Sequence, residues 1–322
     1  MLADQSRIDE ELSGLDRLEI PVETARPVAL RLWSGLWPKL AAVGIVLLLW
    51  QTAVWTGWRP EYLLPSPNAV FARLWEDIGT ARLWQAVFHT MERAVIGFVI
   101  AIGIGAVIGL AVSSSKVVRT AIGSMITGLQ TMPSIAWFPL AILLFGLEDS
   151  AIYFVVVLGA APSIANGLIH GVDSMPPLLR RVGNSMGASR VGLYRDFVVP
   201  AAMPSVVAGL KQGWAFAWRS LMAGELLVVI PGTQTVGTRL QFARELSDAE
   251  GVMATMIVIL VIGIVVDSVV FSRLERRVLR RRGLGAQRVE SGTRVRRPRP
   301  AVFRSPLSII SSPTSAARRS SP

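Results

Sequence analysis

The chain has 322 residues, 52% of them hydrophobic and 17% charged, with a mean hydropathy of +0.49 and a net charge of +11. Soluble domains carry about 25% charged residues, so this composition excludes an ordinary soluble protein. The absence of cysteine excludes disulfides, thiolate metal ligands and a cysteine nucleophile, and the two histidines, His89 and His170, are too distant in sequence to suggest a metal site.

The apolar residues are gathered into long runs with few charges. A helix needs about 20 such residues to cross the hydrocarbon core of a bilayer. The expected fold is therefore all-α, a polytopic membrane protein of about six transmembrane helices. Residues 1–36 are polar and read as a cytoplasmic leader, with a short amphipathic helix near Ile8–Leu18 and no signal peptide at the start. Span 1 is predicted over 38–57, flanked by Trp37, Trp55 and Trp58, since tryptophan favours the membrane interface. An outer segment follows, in which an LPSP turn (Leu64–Pro67) precedes a helix-like stretch with Asn68 as its expected cap.

Span 2, over 90–113, is glycine-rich, and Gly105 and Gly109 are spaced for close helix contact. Span 3, over 118–145, contains Pro133 and Pro139. Proline removes a helical hydrogen bond, so the stretch around Met132 and Pro133 is expected to be a broken helix or helix–turn. Discontinuous helices can line a substrate path, and a plain structural kink is the other reading. Span 4 is predicted over 150–172, span 5 over 203–230 and span 6 over 251–271. The tail, 283–322, is rich in Arg, Ser and Pro and reads as disordered.

Between spans 4 and 5 lies a polar, Arg-bearing segment, Leu178–Pro204. Leu178, Leu179, Val182 and Met186 repeat at helical spacing, as do Val191, Tyr194 and Phe197/Val198. Gly187 separates the two sets and Pro200 is expected to stop the second. The pattern predicts two short amphipathic helices with a glycine hinge at the membrane surface. Placing the amino terminus inside puts 25 Lys and Arg on the inner side against 5 on the outer, as the positive-inside rule requires. Both termini and the segment are then cytoplasmic. The basic surplus is a topology signal and a contact for anionic lipid, and no nucleic-acid partner is expected.

Two charges fall well within span 5, Arg219 and Glu225. Charges inside a membrane face a partner or a water-filled path. Arg219 and Glu225, with Met132 and Pro133, are therefore the candidate substrate path; pairing of Arg219 with a structural carboxylate remains the other possibility. His89, Glu92 and Arg93 are expected at the interface, Lys211 to reach the inner surface, Asp267 to pair with a neighbouring Arg and His170 to be a polar packing residue. There is no phosphate-cradling glycine motif, no nucleophile–base pair and no expected metal site, so the chain is not expected to be an enzyme.

The Leu178–Pro204 segment resembles the "EAA" loop of bacterial ABC importer permeases: EAA, three residues, Gly, nine residues, then I-x-L-P. Gly187 is followed by nine residues and then Phe197-Val198-Val199-Pro200, while the triplet position holds Arg181-Val182-Gly183 and lacks the glutamate. LPSPNAVFARLW (64–75), PSIAWFPLAILLFG (133–146) and AWRSLMAGELL (217–227) look like the branch that imports sulfonates, taurine or nitrate; related members carry thiamine precursors. The resemblance covers roughly residues 40–282. It implies a permease domain over 37–282 in the plasma membrane of a bacterium, a second copy of the permease that completes a homodimer, two ATPase subunits that hold ATP and Mg, and a separate extracytoplasmic solute-binding protein. It also implies an ATPase-docking role for Arg181, Val182, Gly183, Met186, Gly187, Ala188, Ser189, Phe197 and Pro200. The rival from another class is an ATP-independent secondary transporter. Such a protein more often shows inverted repeats and several midplane acids, and the sequence shows neither.

Overall fold

The computed structural model describes residues 28–187, 189 and 192–280; the leader through residue 27, Ala188, Arg190 and Val191 of the candidate docking segment and the tail from 281 onward lie outside the described residues. The chain divides into two compact units, Met1–Glu275 and Arg276–Pro322, and the described part of the second, Arg276–Arg280, is helical.

The described residues are helical and contain no strand. Helix α1 (Val28–Trp55) contains Pro38, and its apolar stretch Leu36–Trp55 is unburied within the chain. Trp50 Nε1 donates to the Pro65 carbonyl at 3.1 Å, tying α1 to the turn that follows. Helix α2 (Pro67–Ile78) is capped by Ser66, whose hydroxyl accepts from the Ala69 amide, and not by the expected Asn68. The reason is local: Pro67 has no N–H to lose and its fixed φ suits the first helical position, so the cap falls one residue before it.

Helix α3 (Ala81–Ser114) begins nine residues before the predicted span 2. Helix α4 (Lys116–Thr131) is capped by the Ser115 hydroxyl and ends at Met132–Pro133. A 3₁₀ turn (Ser134–Trp137) leads into α5 (Phe138–Phe145), and the chain bends by 105° at the break. Pro133 cannot supply the next helical hydrogen bond, and it also disfavours helical geometry at Met132. Helix α6 (Asp149–Asp173) is followed by α7 (Pro177–Ser185). A π-turn (Leu193–Val198) then runs directly into α8 (Val199–Leu227). Short α9 (Val236–Glu245) precedes α10 (Ala249–Val266), which continues through a second π-turn (Asp267–Phe271) into α11 (Ser272–Arg280).

Among the described residues, four helices are long and apolar enough to cross a membrane, or five if the bent pair α4–α5 counts as one span. The expected sixth, span 5, corresponds to α8. It has the length, 29 residues, but Lys211, Arg219 and Glu225 lower its apolarity. A helix enclosed by other helices does not need a lipid-compatible surface all round, and Ala202, Val207, Trp214, Ala217 and Leu221 of α8 are buried in protein.

The core is the stack of α3, α6 and α8, and small residues set its spacing. A Cβ at Gly105 would lie 2.7 Å from the Ala161 carbonyl oxygen, and one at Gly109 would lie 3.0 Å from that of Ala165. On the other side of α6, Gly167 and Gly209 face each other, with a Cβ on Gly167 only 2.6 Å from the Gly209 Cα. In lipid there is no hydrophobic drive to join helices, so backbone-to-backbone packing of this kind supplies the attraction. Phe98, Trp214 and Phe271 close one end of the core with edge and tilted ring contacts.

Candidate functional site

Three regions hold the residues singled out in the sequence. The first is the docking segment. Helix α7 ends in a turn at Gly187, whose φ of +73° favours glycine because it has no Cβ to clash. The Ser189 hydroxyl accepts from the Gly192 amide at 3.1 Å and its carbonyl accepts from the Leu193 amide at 2.8 Å, which starts the next helical turn. The two short elements fold against each other at Gly183: a Cβ there would collide with the Leu193 side chain and touch the Phe197 ring. Val198 is buried against Val172 and Met175, which anchors the segment to the end of α6. Leu178 and Val182 of α7 and Met186 just beyond its end, spaced four apart, are exposed, as are Arg181 and Arg195.

Pro200 does not stop the second short helix. It is the second residue of α8, and the wider π-turn just before it lets the helical path continue through the proline without a break. The segment is thus continuous with α8 on one side and held to α6 on the other. Arg119 at the start of α4 pairs with Asp173 at the end of α6 through two hydrogen bonds of 2.9 and 3.0 Å, joining α4 to the same end of the bundle.

The second region surrounds Glu225, in the last turn of α8. Its carboxylate is fully buried. Oε2 accepts from the Thr90 hydroxyl at 2.9 Å and from the Gly237 amide at 3.0 Å, while Arg93 Nη1 lies 3.7 Å from Oε1. Thr90 in turn accepts from the Val236 amide at 2.9 Å. Arg93 Nε also contacts Asp149 Oδ1 at 2.7 Å. An acid at a helix C-terminus faces the negative end of the dipole, and here the positive N-terminus of α9 compensates it. That terminus is shaped by a reciprocal Thr235–Thr238 cap, and Gly237 is required because a Cβ there would collide with Glu225. Arg93 is therefore enclosed by protein, whereas His89, one turn before it, and the adjacent Glu92 are exposed, 3.7 Å apart.

The third region is a cavity of about 310 Å³ at the α4–α5 break, walled by α6 and α8. It is lined by Met132, Pro133, Gln130, Ser134, Phe216 and Arg219, among others. Three of the four path candidates meet there, and Glu225 does not join them. Arg219 has no carboxylate within ion-pair distance among the described residues. Its Nε donates to the Ala215 carbonyl at 3.2 Å and its guanidinium lies 5.0 Å from the centre of the Phe216 ring. Lys211 and Asp267, expected to act separately, pair with each other at 3.3 Å. Sequence reading missed Thr90, Gly237 and Gln130. No local signal marks the first two, whereas Gln130 is a polar residue three positions before a proline break in an apolar run.

Comparison with known proteins places these features in context. A family model described as "binding-protein-dependent transport system inner membrane component" matches residues 78–280. The aliphatic sulfonates transport permease protein SsuC of Escherichia coli is 31% identical over 230 residues, which cover 71% of this chain and 86% of that protein. The taurine transport system permease protein TauC of the same organism is 27% identical, covering 71% and 84%. The riboflavin transport system permease protein RibX of Chloroflexus aurantiacus is also 27% identical, covering 71% and 85%.

Proposed function

Because the chain belongs to the family of binding-protein-dependent transport system inner membrane components, we propose that it forms the translocation path of an ATP-driven importer for a small anion: an aliphatic sulfonate, taurine or nitrate. The observation that carries the anion is Arg219, a cation on the wall of a membrane-embedded cavity with no carboxylate paired to it among the described residues. A charge in that setting is costly unless it meets water or an opposite charge. Similarity to SsuC and TauC supports the same solute class.

Two copies of the chain form the pore, two ATPase subunits supply ATP and Mg, and a solute-binding protein delivers the anion from outside. The termini and the Leu178–Pro204 segment face the cytoplasm. The exposed Leu178, Val182 and Met186 side chains, with Arg181, offer the ATPase an apolar ridge edged by positive charge. Gly183 and Phe197 hold the two short elements together, and Pro200 lies where the segment enters α8. A push on the ridge therefore reaches α8, whose mid-section carries Arg219. The ATP-bound and ATP-free states favour different openings, so alternating access follows from one rigid connection.

The test is reconstitution in proteoliposomes with the ATPase subunits and the binding protein. ATP-dependent uptake of ethanesulfonate, taurine or nitrate is expected. Gly187→Val forces a β-branched residue to positive φ and is expected to weaken both co-purification of the ATPase and coupled uptake. Full-rate solute movement through vesicles that hold this chain alone would defeat the proposal. Similarity to RibX favours a second reading, a larger heterocyclic solute, and riboflavin uptake in the same vesicles separates the two.

A further inference from the structure

The cavity wall opposite Arg219's helix carries an amide whose orientation is held. Gln130 is in the last turn of α4, just before the Met132–Pro133 break, and lines the cavity. Its Nε2 donates to Ser163 Oγ at 2.8 Å, and its Oε1 accepts from Asn166 Nδ2 at 2.9 Å. Ser163 and Asn166 are three apart on α6, so both grip the same amide from one helix face. Ser163 is buried. Simple adhesion between α4 and α6 would need one such bond. Here both ends of the Gln130 amide are engaged, which leaves it one rotational state and one spare N–H.

The groups around this void are complementary in chemistry. A guanidinium has five N–H donors in a planar fork, and Arg219 uses its Nε on its own helix. The four terminal donors remain for a ligand with at least two oxygens. The remaining polar side chains on the wall are Gln130, Thr131 and Ser134, none of them acidic. A cation and neutral donors in a membrane interior select against cations, and a neutral solute would leave Arg219 without a counter-charge.

We propose that Gln130 is a specificity-determining residue of an oxyanion subsite in this cavity: Arg219 takes two oxygens of the solute, the spare Gln130 N–H takes a third, and Ser163 and Asn166 are positioning residues. This rests on the anion reading above and narrows it to solutes whose head group presents three oxygens, sulfonate or nitrate, over two-oxygen carboxylates.

The experiment titrates the purified permease–ATPase complex, without binding protein, with ethanesulfonate and with propionate by calorimetry. The wild-type complex is expected to favour ethanesulfonate by about tenfold, the discrimination of one directed hydrogen bond. Gln130→Leu is expected to lower ethanesulfonate affinity about tenfold and to leave propionate within twofold, while Arg219→Gln lowers both. Asn166→Leu, which frees the amide without removing it, is expected to reduce the preference in the same direction, and it serves if Gln130→Leu does not fold. Unchanged preference in both variants, or an equal loss for both anions, would overturn the subsite and leave the transport reading intact. ATP-driven uptake of ethanesulfonate by the wild type is the separate check on that reading. If the wild-type complex binds neither anion, the subsite is overturned directly.

Discussion

Glu225 and Arg219 belong to one helix, about 120° apart around its axis, and the two regions they occupy solve the same problem in opposite ways. Glu225 is fully buried, takes hydrogen bonds from Thr90 and Gly237, and has Arg93 beside it. Arg219 faces a cavity and, among the described residues, is steadied by a carbonyl of its own helix and an aromatic ring. The contrast teaches that a charge in an apolar helix is not by itself a functional sign. The partners decide: a charge whose partners are all protein holds helices together, and one left facing a void is available to a solute.

The largest expected effect comes from breaking the partnered region. Arg93→Met leaves the Glu225 carboxylate buried without its cation, and loss of one partner of a buried pair costs about 3–5 kcal/mol. Thermal unfolding in detergent is expected to show a large drop or no recoverable folded protein, with ATPase assembly lost in parallel. A melting curve like that of the wild type would refute the structural role assigned to this cluster.

Gly237→Ala comes next. Its methyl group overlaps Glu225, and an overpacked interior site costs about 1–3 kcal/mol. The same melting assay is expected to register it, and Ala at the neighbouring exposed position Gln234 serves as a control with little change.

Arg219→Gln is expected to reverse the pattern. Solute uptake falls about tenfold, equivalent to about 1.4 kcal/mol, while the melting temperature stays within about 1 °C of the wild type because no ion pair is lost. If stability fell as far as in the Arg93 variant, the distinction between the two regions would collapse. The smallest effect is expected for Arg119→Ala: its bidentate pair with Asp173 is well exposed on both sides, and exposed pairs contribute about 0.2–1 kcal/mol. High salt is expected to mimic this change in the wild type, which a melting series at rising ionic strength checks.

Much of the fold was legible in local sequence. The apolar runs located α1, α3, α6 and α10, and the prolines at 133 and 139 marked the α4–α5 bend. Gly105 and Gly109 were readable as contact points, though not the Ala161 and Ala165 carbonyls they meet. Pro200 was misread because a proline in a first helical turn and a proline that ends a helix look alike until the preceding turn is seen. Asn68 was misread for the related reason that Pro67 takes the first helical position. Span 5 corresponds to α8, which falls short on apolarity alone, and its polar residues are accommodated by neighbours that sequence periodicity does not reveal.

The candidate site divides along the same line. The spacing from Gly187 to Pro200 and the presence of charges in an apolar run follow from the chain alone, since both depend on residues a few positions apart. Which charge is silenced and which is left open depends on contacts such as Thr90 with Glu225, separated by 135 positions, and Gln130 with Asn166, separated by 36. By itself the sequence determined a helical membrane protein with a short amphipathic, Arg-bearing segment between two long helices, because hydropathy and helical periodicity are local properties. Only the tertiary structure decided that Glu225 is locked among protein partners and that Arg219 lines a cavity, because burial and hydrogen bonding are set by whichever distant helices the small residues allow to approach.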